Sequence, residues 1–298
     1  MFGDRTDQAG RFLTVGQAAL HYLLIVGWIF MLGHLRGDIV RMRIITTLLI
    51  SFCLVGMCGC QKRSTAENFG KTYYLDGAGN WGFGASEVPG GLEQAGYHGD
   101  VELYVWTMSF NPLVDQLNIP GARLRASALA RRIESYHERH PDRKINVIAL
   151  SAGTGVATWA IEDLKPGLKI QNLILLGSSL SHNYDMRRAL EKMTGKIYVY
   201  HSPHDEVLET VKIVGTIDGK RGVSSIGLVG LKAPRGMEHR VVNTPWNRSW
   251  IRLGWAGAHT DCTNKKFVRY EIAKHILDGP GAETPTQPRR RASVASAK

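Results

Sequence analysis

The chain has 298 residues, 44% of them hydrophobic and 21% charged, the proportions of an ordinary globular domain with appendages, which exclude a disordered or fibrous chain. Its formal charge of +11 suggests a nucleic-acid partner until its distribution is read: Arg289, Arg290, Arg291 and Lys298 lie in a terminal tail, and Arg36, Arg41, Arg43, Lys62 and Arg63 flank apolar segments near the other end. Those residues carry most of the excess, no basic stripe is interleaved with aromatics, and no nucleic acid is expected. In chain order, residues 1–66 read as an extension with signal or anchor segments. Ala18 to Leu35 is apolar apart from His21 and His34, and Ile44 to Cys60 has no charge; each is near the lower length limit for crossing a bilayer. Arg41 and Arg43, the apolar centre Ile44 to Val55 and the small or soft run Gly56-Met57-Cys58-Gly59-Cys60 follow the order of a secretory signal.

That second run resembles a bacterial lipoprotein signal, in which a small residue precedes the cysteine that receives the lipid. Gly59-Cys60 matches the pair; Met57 and Cys58 depart from the usual leucine and small residue. The resemblance implies lipidation at Cys60 and an effective start at Met42. A two-helix membrane hairpin and a single uncleaved anchor helix are the alternatives. All three put the chain at a membrane, and the expected location of the domain is the cell envelope, outside the cytoplasm, held by an N-terminal anchor or lipid. Cys53, Cys58 and Cys60 fall in this segment, which leaves Cys262 alone and no disulfide to form in the domain.

The domain itself spans 67–280. Thr72–Leu75 reads as a strand opening onto Asp76-Gly77-Ala78-Gly79-Asn80-Trp81-Gly82-Phe83-Gly84, a loop too rich in glycine to be ordinary connection. Val101 to Trp106 is the next strand, and Leu129, Ile133 and Tyr136 mark an amphipathic helix stopped by Pro141. Ile145, Val147, Ile148 and Leu150 form a short apolar run suited to a strand covered on both faces. Val156, Ala160 and Leu164, with Ala157 and Ile161, then form the apolar face of a helix. Between strand and helix stands Ser151-Ala152-Gly153-Thr154-Gly155, whose small residues permit a turn tight enough to expose the serine hydroxyl. A strand at Ile170–Leu176, a helix at Met186–Met193 and a strand at Ile197–Tyr200 follow. The last helix carries Val268, Ile272 and Ile276 and ends at Gly279-Pro280. The alternation predicts an α/β fold with a mostly parallel central sheet and helices on both faces. Residues 281–298 read as a disordered basic tail.

A serine in a tight turn is also compatible with plain packing or with phosphate binding, although neither G-x-G-x-x-G nor G-x-x-x-x-G-K-[ST] is satisfied here. Its partners decide. In parallel sheets active groups gather at the carboxyl ends of strands. Asp205 follows the strand at Ile197–Tyr200, in Ser202-Pro203-His204-Asp205. His259 lies in Gly257-Ala258-His259-Thr260-Asp261, just ahead of the last helix. Glu206 and His239 are the nearest rivals for those two roles. Asp261 reads as the N-cap of the last helix, and Trp106 and Trp159 as core aromatics. No Cys or His pair has zinc-ligand spacing, and His201 and His204 lack a third ligand nearby, so no metal is expected.

With serine, acid and histidine in this order, Lys71 to Leu277 resembles the α/β-hydrolase superfamily. Ala149-Leu150-Ser151-Ala152-Gly153 looks like its G-x-S-x-G elbow, with alanine at the first glycine. Asp76-Gly77-Ala78-Gly79 resembles the loop that supplies half of the oxyanion hole, with Asp76 where many members have histidine. The resemblance implies a serine hydrolase with the triad Ser151, Asp205 and His259, without a cofactor, acting on a small-molecule or lipid-like ester, less readily an amide. The oxyanion donors would be the backbone N–H of Ala152 and one from Ala78 or Gly79. Trp81 and Phe83 are candidates for an acyl pocket. The 54 residues from Asp205 to His259 would fold over the site as a partial cap. A non-catalytic envelope binding protein on the same fold is the alternative, and it predicts an occluded or misaligned Ser151.

Overall fold

The structure, a computed structural model, describes residues 65–277; the segments expected to act as signal or anchor, the candidate lipidation site Cys60 and the residues expected to form a basic tail lie outside the described residues. Strands β1 (Lys71–Leu75), β2 (Asp100–Leu103), β3 (Ile145–Leu150), β4 (Asn172–Leu176), β5 (Ile197–His201) and β6 (Val241–Pro245) form one sheet. Their order is β2-β1-β3-β4-β5-β6, and every neighbouring pair is parallel. The expected α/β class, with a parallel central sheet and helices on both faces, is the one observed. Among the described residues no helix is long and apolar enough to cross a membrane.

Successive strand side chains point to opposite faces, and here both faces are covered. Tyr73, Leu75, Val147, Ala149, Leu173, Leu175, Ile197 and Val199 enter one core, closed by the helices α3 (Ile119–Arg139), α4 (Gly153–Glu162) and α5 (Arg187–Glu191). Tyr74, Ile148, Leu150, Ile174, Leu176 and Tyr200 enter the other. That core is closed by α1 (Glu87–Gln94) and by a final helix, α8, built from Lys265–Phe267, a π-helical Val268–Ile272 and Lys274–Leu277. Central β1, β3 and β4 are buried at every residue, which is why their apolar runs stand out in the sequence. Edge strands β2 and β6 are not. The strand expected over Val101–Trp106 stops at Leu103, and β6 has no continuous apolar run to announce it.

Helix α3 is twice the length that its charged C-terminal half suggests. Its N-terminus is fixed by Asn118, whose side-chain oxygen accepts the Gly121 N–H at 3.1 Å, and Ala122, Ala126, Leu129, Ile133 and Tyr136 form one buried stripe. Three further helices are short: α2 (Pro112–Leu117), α6 (Glu206–Val214) and α7 (Ile226–Val229). The segment from Asp205 to His259 forms only a small part of a cap. Its α6 faces the site, whereas Trp250 and Trp255 stack at 5.1 Å and pack on Phe267 in the second core. Asp261 opens a separate 3-10 turn and accepts the Ala256 N–H at 3.0 Å. The cap of α8 is Asn264, which accepts the Lys266 N–H at 3.0 Å.

His275 locks α8 to the sheet by stacking on Tyr198 at 3.7 Å and sharing a 2.8 Å hydrogen bond between its Nε2 and the Tyr200 hydroxyl. Burial, with the neighbouring Lys274 charge, lowers its pKa to about 4. A histidine held neutral in the fold gives stability that is complete above the unfolded pKa of about 6.5 and is lost as pH falls toward the folded value. Allowing for its partly exposed edge, going from pH 7 to pH 5 lowers unfolding free energy by about 1–2 kcal/mol. Denaturant titrations at the two pH values check this, with His275→Gln showing the smaller difference.

The chain leaves β1 for β2 on one side, and β3 then returns to the other side of β1. This reversal is a topological switch point, and the crevice beyond the carboxyl ends of β1 and β3 is where such a sheet presents a site.

Candidate active site

Ser151 leaves the end of β3 with φ 52°, a left-handed conformation that a residue with a side chain holds only when its surroundings impose it. The Ser151 N–H donates to the Leu176 carbonyl at 3.0 Å, and the Ser151 carbonyl accepts from the N–H groups of Thr154 at 3.1 Å and Ser179 at 3.3 Å. Glycine is required where the turn meets β1. A Cβ on Gly153 would lie 2.4 Å from the Asp76 carbonyl oxygen, and one on Gly77 would lie 3.2 Å from the Ser151 Cβ. Ala149, where the elbow pattern has its first glycine, points into the first core, where its methyl is packed.

Asp205 and His259 meet across 54 residues of chain, His259 Nδ1 lying 2.7 Å from Asp205 Oδ2. Asp205 is 2% exposed and caps α6: its Oδ1 accepts the Leu208 N–H at 3.0 Å. The two carboxylate oxygens therefore have separate duties, one fixing a helix start and the other orienting the imidazole. Rivals are elsewhere. Glu206 is exposed, and His239 lies in a 3-10 turn before β6, at the amino ends of the strands. Cys262 sits behind the pair, its thiol donating to the His259 carbonyl at 3.3 Å; burial and the charges of Asp205 and Asp261 push its pKa up, so it stays a thiol. His204 packs edge-on against Trp246 at 4.9 Å.

The glycine loop after β1 is held by two buried carboxylates that sequence reading did not single out for this role. Asp76 accepts the Gly82 N–H at 2.6 Å, the Phe83 N–H at 3.0 Å and the Tyr74 hydroxyl at 3.1 Å. It thus staples the glycine loop to the end of β1. Asp115 of α2 accepts the Gly79 N–H at 2.7 Å. This corrects the expectation for Gly79: its N–H is already used and is no oxyanion donor. Gly79 has φ 81°, and a Cβ there would come within 2.9 Å of Trp81 Nε1 and 3.1 Å of Pro112, so its part is to turn the loop. Among the described residues, no acceptor engages the N–H of Ala78 or Ala152.

These elements surround a cavity of about 570 Å³. Ser151 and His259 open into it together, without a hydrogen bond between them among the described contacts, alongside Ala78, Trp81 and Phe83 from the glycine loop. Helix α6 contributes Val207, Thr210, Val211 and Val214, and α2 contributes Leu113 and Gln116. Among the described residues, no titratable side chain other than His259 lines it. Trp81 and Phe83 form an edge-to-face pair at 5.9 Å on its rim and are 58% and 45% exposed. Trp106 and Trp159 are core, at 3% and 0% exposure. A shallow depression of about 640 Å³ beside α6 holds none of Ser151, Asp205 and His259.

The sequence matches no protein-family profile and no curated relative. The fold is similar to a cutinase-like protein from Cryptococcus sp., at 16% identity over 72% of this chain and 96% of that one, with a TM-score of 0.39. A dienelactone hydrolase from Anabaena variabilis is 15% identical over 70% of this chain and 86% of its own, with a TM-score of 0.41. The catalytic core domain of an acetyl xylan esterase from Trichoderma reesei is 13% identical over 59% and 83%, with a TM-score of 0.35. At such identities and scores these likenesses carry no argument of their own. The fold class rests on the strand order and the elbow of this chain.

Proposed function

We propose that the chain is a serine hydrolase that cleaves an ester, less readily an amide, through an acyl-enzyme on Ser151, with His259 as general base and acid and Asp205 as its orienting carboxylate. The observation that carries the reading is the 2.7 Å His259–Asp205 pair opening into the same cavity as a serine at φ 52°. A hydroxyl is a weak nucleophile at neutral pH and needs a base. The described contacts include no hydrogen bond from Ser151 Oγ to His259, a contact that resting sites often leave unmade until substrate binds. His259 takes the hydroxyl proton as Oγ bonds to the ester carbonyl carbon. The oxyanion then accepts hydrogen bonds from the N–H groups of Ala152 and Ala78, each worth about 3 kcal/mol where such donors have been removed. His259 returns the proton to the departing alkoxide; water repeats the sequence on the acyl-enzyme. Asp205 stays ionised and stabilises the imidazolium.

The substrate reading follows from the cavity walls. With apolar side chains from α2 and α6 and no titratable group but His259, the part of the substrate that enters is an uncharged, apolar acyl group. The N-terminal anchor or lipid would hold the domain in the cell envelope, outside the cytoplasm, and no step calls for a cofactor. Each methylene buried contributes about 0.8 kcal/mol, or roughly fourfold in kcat/KM. Across p-nitrophenyl acetate, butyrate, hexanoate and octanoate, kcat/KM therefore rises by roughly fourfold per added methylene until the cavity is full. A series that is flat or falls from acetate contradicts the substrate reading; no hydrolysis of any member contradicts the activity.

A further inference from the structure

Asp115 is 3% exposed, and its carboxylate joins two loops. Oδ2 accepts the Gly79 N–H at 2.7 Å, while Oδ1 accepts the hydroxyls of Thr107 and Ser109, each at 2.7 Å. Among the described residues no lysine, arginine or histidine pairs with it. A buried carboxylate without a cation is costly unless its oxygens are fully hydrogen-bonded, so these three donors and the carboxylate hold one another in place. A second clip runs alongside, from Trp81 Nε1 to the Phe110 carbonyl at 3.2 Å, with Phe110 itself at φ 53°. The segment from Thr107 to Asn111 and the glycine loop are therefore tied together at two points. The Gly79 N–H belongs to the Ala78–Gly79 peptide, and on the other side of Ala78 the Gly77 carbonyl accepts the Asn80 N–H at 3.1 Å, so the peptides on both sides of Ala78 are held, one of them by Asp115.

Resting on the hydrolase reading, we propose that Asp115 is a positioning residue: by binding the Gly79 N–H it anchors the Ala78–Gly79 peptide, and with it the turn that presents the Ala78 N–H to the cavity as an oxyanion donor. Through Thr107 and Ser109 it also ties that turn to the segment whose Phe110 carbonyl holds Trp81 at the cavity rim. The donor matters only when the oxyanion exists, so losing its alignment lowers kcat and leaves KM nearly untouched.

The test uses the purified full chain with an ester that the wild type hydrolyses. Asp115→Ala lowers kcat by about 100-fold, the cost of one misplaced oxyanion donor, with KM within about threefold and the acidic limb of the pH profile unmoved. Asp115→Asn restores at least about tenfold of that loss: its Oδ1 takes the Gly79 N–H, and the hydroxyls of Thr107 and Ser109 turn to accept from its Nδ2. A double variant, Thr107→Val with Ser109→Ala, leaves Asp115 in place on a partly exposed loop and lowers kcat about tenfold by freeing the carboxylate. If Asp115→Ala does not fold, the double variant decides. A double variant with wild-type kcat overturns the proposal, as does a folded Asp115→Ala within about threefold of wild-type kcat. Parallel loss of kcat, substrate binding and thermal stability without rescue by Asn would reduce Asp115 to a structural residue, which also overturns it. These outcomes presuppose a wild type that takes a fluorophosphonate; a folded wild type that takes none overturns the hydrolase reading and this inference with it.

Discussion

Ser151→Ala lowers kcat by at least about 10⁴-fold and leaves the unfolding midpoint almost unchanged. The size follows from the loss of the atom that bonds to the substrate; only the oxyanion donors and the cavity remain to speed attack by water, and they act without a covalent intermediate. The unchanged stability follows from the elbow. Alanine at φ 52° carries the same left-handed strain as serine, and no hydrogen bond from Ser151 Oγ is lost among the described contacts. A steady-state assay paired with thermal melts checks both halves. If Ser151 is only a packing turn, turnover stays at the wild-type level.

Asp205→Asn lowers kcat by about 10⁴-fold at nearly unchanged stability, because the two oxygens of Asp205 do different work. Asparagine caps a helix about as well as aspartate, so its Oδ1 can keep the Leu208 N–H now bound at 3.0 Å. Its amide nitrogen then faces His259 Nδ1, where Asp205 Oδ2 now lies at 2.7 Å, and imposes the wrong tautomer. Asp205→Ala loses both functions and also destabilises the fold by about 1 kcal/mol through the missing cap. Activity assays set beside denaturant midpoints separate the two roles. Full activity in Asp205→Asn would transfer the role to another acid, with Glu206 first in line.

The parts of this arrangement that sequence exposes share a local signature. Ser151 and His259 stand in short runs of small residues and glycine, Asp205 follows a proline turn just after a strand end, and β1, β3 and β4 betray themselves because both of their faces are buried. What stayed hidden depends on distant partners. Asp76 and Asp115 look like loop acids until Asp115 is seen to bind Gly79, 36 residues away. With that bond the assignment of Gly79 as an oxyanion donor fails, for a reason no local spacing contains. Asp261 made a plausible cap for α8 by position alone, but an intervening 3-10 turn hands the task to Asn264. Strand β6 and helix α1 were missed because Val241–Pro245 ends in proline and Glu87–Gln94 contains Pro89, Gly90 and Gly91, residues that argue against regular structure wherever packing does not override them.

The claim on which the rest depends is covalent: during turnover the acyl group sits on Ser151. Rapid acid quenching of the purified chain with a p-nitrophenyl ester, followed by peptide mass spectrometry, tests it directly. The account predicts an acyl adduct on the peptide that contains Ser151, accumulating more strongly in Asp205→Asn if deacylation slows more than acylation, and absent in Ser151→Ala. An adduct on any other residue, or hydrolysis that proceeds unchanged in Ser151→Ala, would contradict it.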